Sequence, residues 1–201
     1  MKKKIFILIG MLLCLGIGVL GAYAYFSAVT PQTQNAMNLV AGAQGEVKGT
    51  IVESKWKLAS ASDMVPRTVV EKDPKLKSEV LYESYAYIKV SVPQVNAKKG
   101  AETEKTYQDV VTFTPNTGWT LIGETAGSSE GPHVLLYRCD TKLAPMGTTG
   151  TLFDTITVPD FKAADEVSDN VSVWGYMVQT TGVTQAEADA DAVTWSGTAA
   201  K

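Results

Sequence analysis

The side chains that perform chemistry are few in this chain, and their spacing excludes more reactions than it supports. There is one histidine, His133, and the two cysteines are Cys14 and Cys139. A zinc peptidase converges two or three His or carboxylate ligands on the metal, with a base beside them. Its H-E-x-x-H pattern is missing. His133 follows Gly131-Pro132 and reads as a surface histidine at the start of a strand. Cys139 and His133 share a face if one strand carries both, but they then lie ~20 Å apart, too far for proton transfer. There is no G-x-S-x-G elbow for a serine nucleophile and no Gly-rich phosphate loop between a strand and a helix. The segment ADADA, Ala188–Ala192, lacks the D-x-D-x-D-G of a calcium loop. On a helix, Asp189 and Asp191 point to different faces, and a solvated helix face is expected. Among 21 acids no two stand out as a glycosidase pair. No catalytic residue, metal or cofactor is therefore expected. Trp56, Trp119, Trp174 and Trp195 either line a carbohydrate platform or pack core and rim, the commoner use of tryptophan on strands.

The N-terminus is where a covalent event is written into the chain. Lys2, Lys3 and Lys4 precede an apolar run, Ile5 to Phe26. Its 22 residues are long enough for a span, which needs ~20. A basic start, an apolar middle and Ala22-Tyr23-Ala24 match a signal peptide. Gly10, Gly16, Gly18 and Gly21 weaken the run as a helix, and no basic stop-transfer cluster follows Phe26. Cleavage is expected after Ala24, so that Tyr25 becomes the new N-terminus. An uncleaved anchor is the alternative. Cys14 follows Leu13, not a small residue, so a lipoprotein cut is not expected. Losing residues 1–24, which hold three lysines and no acids, takes the formal charge from −3 to −6. That balance argues against a nucleic-acid partner and suits a soluble exported protein. Only Cys139 then remains, so an internal disulfide is impossible.

The elements behind these residues read as mainly β. Ser84–Val92 alternates, with Ala86, Ile88, Val90 and Val92 facing one way and Tyr85, Tyr87, Lys89 and Ser91 the other. Asn170–Gln179 alternates similarly, setting Val171, Val173 and Met177 against Trp174, Tyr176 and Val178. Shorter strands are expected at Glu46–Glu53, Thr68–Val70, Asp109–Phe113, Trp119–Ile122, His133–Cys139 and Leu152–Val158. Thr114–Gly118 has hairpin spacing between two of them; Glu124–Pro132 and Ala144–Gly150 are loops. Thr184 and Glu187 form a capping box that starts a helix over Thr184–Val193. Lys98–Val110 is polar and reads as a loop or a second short helix. These patterns predict an antiparallel β-sandwich or jelly roll with one or two short helices, preceded by the apolar signal helix. Residues 1–24 are the signal peptide, 25–40 an N-terminal segment and 41–201 one sandwich domain.

Three segments together resemble a known family. Gly18–Thr30, GVLGAYAYFSAVT, resembles the signal read by the SipW-type signal peptidase. Val69–Val92 resembles a stretch with Lys-Asp-Pro, a turn and an Ala-Tyr-hydrophobic strand, here Lys72-Asp73-Pro74 and Ala86-Tyr87-Ile88. Lys142–Asp160 and Val171–Ala190 resemble a Leu-Phe strand followed by a strand ending in Gln before an Ala-rich helix. Together they are similar to the TasA/camelysin-like exported proteins, including BsaA-like biofilm matrix proteins. The resemblance implies a secreted β-sandwich or jelly-roll subunit of extracellular fibres in a Gram-positive biofilm matrix, at the cell surface. Some relatives carry a metallopeptidase label, which does not transfer without a metal constellation. Relatives commonly have Pro-Gly where Pro66-Arg67 stands here.

On this reading the segment from Tyr25 to about Val40 is a donor strand, with Tyr25, Phe26, Val29 and Met37 as its β-friendly anchors. Cleavage turns a membrane helix into a free, partly apolar end that lowers its free energy in the edge groove of a neighbour. A head-to-tail contact that does not close gives a filament. The partners implied are other copies of the chain, a SipW-type signal peptidase and a minor anchor or assembly protein, with the membrane a partner only before cleavage. The alternatives are that the segment folds onto its own subunit, that the chain is a secreted camelysin-like metallopeptidase, or that it is a monomeric adhesion module.

Overall fold

The computed structural model describes residues 49–56, 64–129, 131–165 and 170–201, and the backbone of residues 27–29. The apolar N-terminal run, with the expected cleavage residues Ala22, Ala24 and Tyr25, lies outside the described residues, as do Phe26 and Met37. The described chain is mainly β. Its strands are β1 (Ser27–Val29), β2 (Gly49–Glu53), β3 (Val69–Glu71), β4 (Pro74–Ser78), β5 (Ser84–Val92), β6 (Gln94–Lys99) and β7 (Thr106–Asp109). They continue with β8 (Trp119–Thr125), β9 (His133–Cys139), β10 (Thr155–Thr157), β11 (Phe161–Ala164), β12 (Ser172–Gln179) and β13 (Ala199–Ala200). One helix, α1 (Gln185–Ser196), is found among the described residues.

Every ladder is antiparallel. The main sheet runs β1-β12-β5-β9-β8-β13, and three smaller ladders pair β2 with β4, β3 with β10, and β11 with β6 and β7. The period-two pattern of β5 decides how the main sheet is used. Ala86, Ile88, Val90 and Val92 are buried in the larger core with Val173 and Met177 of β12 and Leu135 and Tyr137 of β9. Leu76 of β4 and the Leu152-Phe153 pair close that core from the smaller ladders, with Phe113 stacked on Phe153 at 4.2 Å between ring centroids. On the opposite face Tyr85, Tyr87, Leu136, Tyr176 and Val178 meet Ala188 and Ala192 of α1. Both alternations expected from the sequence are therefore present.

Helix α1 begins as its capping box dictates. Thr184 accepts from the Glu187 amide, the Glu187 carboxylate accepts from the Thr184 amide at 2.8 Å, and Gly197 ends the helix in the left-handed region at φ 71°. The helix runs three residues past the expected Val193.

Two expectations fail. Asp109–Phe113 forms no continuous strand: β7 ends at Asp109, and Thr112 makes only an isolated bridge to Thr157. Thr114–Gly118 is accordingly no hairpin turn; the Asn116 amide donates to the Leu152 carbonyl at 2.7 Å. The hairpin lies one connection later, between the paired β8 and β9. Asp109–Phe113 is a run of β-formers, but Phe113 packs against the larger core and enters no ladder. Lys98–Val110 holds no helix but the end of β6, a turn with Gly100 at φ 58°, and β7.

The Lys-Asp-Pro motif is a buried polar anchor. Lys72 Nζ lies 2.7 Å from Glu53 Oε1, with side chains only 5% and 9% exposed, and the Trp56 ring sits 4.2 Å from the same ammonium. Asp73 accepts from Ser54 Oγ at 2.6 Å and from the Lys55 amide at 2.7 Å. These bonds tie the exit of β2 to the start of β4. Burial pushes the Asp73 carboxyl up, but the bonds from Ser54, Lys55 and Lys75 outweigh it and hold the group below its ordinary value.

Pro66-Arg67 occupies the middle of a tight turn, with the Thr68 amide returning to the Val65 carbonyl at 3.0 Å and Arg67 at φ 69°. Proline followed by a residue of positive φ is the type II pattern, whose third position favours glycine. Arg67 is held there by its amide on the Val158 carbonyl and by an exposed pairing with Asp160. A solvated pair of this kind contributes little. Arg67→Gly is therefore expected to raise the melting temperature by a few degrees by thermal denaturation; a fall would show that the Asp160 contact outweighs the backbone strain.

Candidate functional site

At the β12 edge of the main sheet lie Ser27–Val29, the described part of the segment expected to drive assembly. Ser27 pairs with Val178, Ala28 with Met177 and Val29 with Tyr176. Of the four donor-strand candidates, Val29 alone falls within the described residues, and there it lies opposite Tyr176 of its own subunit. The edge is firm because β12 is held along its whole length by β5, from Ser172↔Ser91 to Gln179↔Ser84. Its side chains feed both cores: Val173 and Met177 the larger one, Tyr176 and Val178 the smaller. No other strand pairs with β1 among the described residues. At the far edge β13 is shorter still, pairing Ala199 with Glu124 and Ala200 with Gly123.

Between the two edges α1 is locked to the central strands β5 and β9 by a residue expected to be solvated. Asp189 Oδ1 accepts from the Tyr87 hydroxyl at 2.9 Å, and Oδ2 accepts from Arg138 Nη1 at 2.6 Å. The expectation of a solvated face is corrected: the helix presents Asp189 to the sheet because Tyr87 and Arg138 await it on adjacent strands. Burial, reinforced by the Asp189 carboxylate, pushes the Tyr87 phenol far above its ordinary value and keeps it a donor.

The other residues singled out for chemistry are scattered. Cys139 ends β9 and His133 begins it, so the two lie at opposite ends of one strand. Burial raises the Cys139 thiol, which lines a cleft of about 360 Å³ with Trp119, Leu143 and Gly147. Of the four tryptophans, Trp119 is buried in the larger core and Trp56 covers Lys72. Trp174 and Trp195 come together around Lys89. Among the described residues no group of three or more His, Cys, Asp or Glu side chains could hold a metal ion. No helix among them is long and apolar enough to cross a membrane.

His133 is the site that sequence reasoning missed. Its Nδ1 lies 2.9 Å from Asp109 Oδ2 and its Nε2 lies 3.0 Å from Glu124 Oε1. Gln94 supports Asp109, and Lys201 reaches the other oxygen of Glu124. One ring thus joins β6, β7, β8, β9 and the residue after β13. The visible cue was two acids placed at the ends of neighbouring strands, but only the register shows that they flank one ring. Both ring nitrogens donate only when the imidazole is charged. Burial lowers the His133 pKa, but the bonds from Asp109 and Glu124 outweigh it and raise the value above 6.5. Lys201 first, then His133, hold the Glu124 carboxyl below its ordinary range.

Compared with known proteins, the chain matches no family model, no curated sequence and no solved structure.

Because the folded His133 pKa is raised, its stabilisation is complete below pH 6.5 and is lost as pH rises through the folded value. Replacing His133 by Gln should cost about 1–2 kcal/mol at pH 6 and much less at pH 9. Urea unfolding of both forms across that range checks it, and a pH-independent difference would contradict the charged bridge.

Proposed function

We propose that this protein is a secreted, non-enzymatic structural subunit of extracellular biofilm matrix fibres, assembled head-to-tail through its N-terminal segment. On this reading the signal peptide is removed after Ala24 by a SipW-type peptidase, and the strands close as a sandwich of jelly-roll type. The partners are further copies of the chain and a minor anchor or assembly protein. The observation that carries the reading is the β1–β12 pairing: Ser27–Val29 occupies an edge of the main sheet through its ladder to β12. An identical strand from a second copy makes the same ladder on the same edge.

The energetics of such an exchange follow from that identity. Each ladder bond is worth ~1 kcal/mol, and every bond lost within a subunit is regained between subunits. The exchange is then nearly neutral at Ser27–Val29, and its drive comes from the flanking residues. Burying Tyr25 and Phe26, apolar groups freed by the cut, contributes ~2 kcal/mol each. Repetition of one non-closing contact extends the assembly into a filament. An uncleaved chain keeps both aromatics in the membrane and cannot polymerise.

Electron microscopy of two purified forms tests this. The form beginning at Tyr25 should give fibres; one beginning at Leu39 should stay monomeric while retaining its β circular dichroism. Equal fibre formation by the two would sink the donor role.

A further inference from the structure

Lys89 is a cation that meets no counter-charge among the described residues. It lies on the helix-side face of β5, between Trp174 of β12 and Leu136 of β9. Its Nζ sits 4.6 Å from the Trp174 ring centroid and 4.7 Å from that of Trp195. The other cations that are at least partly buried are satisfied: Lys72 by Glu53, Lys75 by Asp73, Arg138 by Asp189, and Lys98 by the Thr103 carbonyl. Among the described residues Lys89 has no carboxylate or carbonyl partner; its ammonium is met only by the two indoles. Carboxylates outnumber cations in this chain, so the absence of one here does not reflect scarcity. Burial lowers the pKa of the Lys89 ammonium, as desolvation without compensating charge must.

The surroundings are set as a receptor would be. Trp195 lies flat on Tyr176, 4.9 Å between centroids and 11° between planes, which fixes its orientation. Trp174 and Trp195 are both partly exposed. A rigid pair of indoles beside an unpaired ammonium asks for a ligand that offers a flat C–H surface and an anion on one stiff frame. A pyranose whose C6 is a carboxylate has both on a single ring. An acidic peptide supplies the anion on a freely rotating stem and no flat face, so it satisfies half of the site.

We propose that Lys89, Trp174 and Trp195 form a binding site for acidic saccharides of the uronic-acid class, the ammonium pairing with the carboxylate and Trp174 stacking on the sugar, while Trp195, already flat on Tyr176, walls the site. The net negative charge of the chain opposes a polyanion, so one site binds weakly, and repeated copies along an assembly gain by multivalency. The single site does not depend on assembly.

Titrating the monomeric chain with trigalacturonate, and following tryptophan fluorescence, tests this separately from fibre formation. A saturable change is expected, with no response to neutral maltotriose. Lys89→Gln should weaken binding at least about tenfold, the loss of one charged hydrogen bond, while Lys89→Arg retains it. Trp174→Phe should weaken binding while leaving the fold intact by circular dichroism. No saturable response to trigalacturonate would overturn the assignment. So would an equal response to maltotriose, an equal response to triglutamate, or unchanged binding in Lys89→Gln.

Discussion

The strict alternation of Ser84–Val92 is the constraint on which the rest of the molecule depends, because β5 serves two interiors at once. Its even-numbered residues from Ala86 to Val92 enter the larger core, while Tyr85 and Tyr87 carry the smaller one under α1. A slip of one residue in its pairing would send Tyr87 and Lys89 into the apolar core and expose Ile88 and Val90. The ladders to β12 and β9 hold that register over the length of the strand. The helix, the aromatic cluster and both sheet edges inherit their positions from it.

The main sheet is thus firm at its centre and lightly closed at its edges. One edge carries the three-residue β1, the other the two-residue β13. Short edge strands blunt uncontrolled pairing, and a short strand is also the one most readily exchanged for its copy. The His133 bridge acts at the β13 side, where Lys201 and Glu124 join the same network. The helix clamp through Asp189 lies between the edges. A three-residue edge strand laddered to β12, which β5 pairs along its length, is the physical basis of the proposed assembly.

What the sequence made legible was local. Period two found β5 and β12 and assigned their faces correctly, because burial on both sides leaves a pattern in the residues themselves. The Thr184–Glu187 box found the helix start for the same reason. What escaped depended on partners distant in sequence. Asp189 looked solvated until Tyr87 and Arg138 were placed opposite it, and His133 looked bland until Asp109 and Glu124 were brought to its two nitrogens. Asp109–Phe113 looked like a strand because β propensity cannot tell a ladder from a core-packed connection. Of the four tryptophans, Trp119 packs in the larger core, Trp56 covers Lys72, Trp195 packs on Tyr176, and Trp174 meets Trp195 at Lys89.

The central claim, that β1 moves from its own β12 to that of a neighbour, is most directly tested by trapping the pair at Ser27 and Val178, which face each other in the ladder. Directly opposed residues in an antiparallel pair are close enough for a disulfide. With Cys139→Ser removing the native thiol, Ser27→Cys and Val178→Cys should crosslink within single chains in the monomer and between chains in fibres, giving a ladder on a non-reducing gel. Crosslinks that remain within single chains in fully assembled fibres would contradict the account.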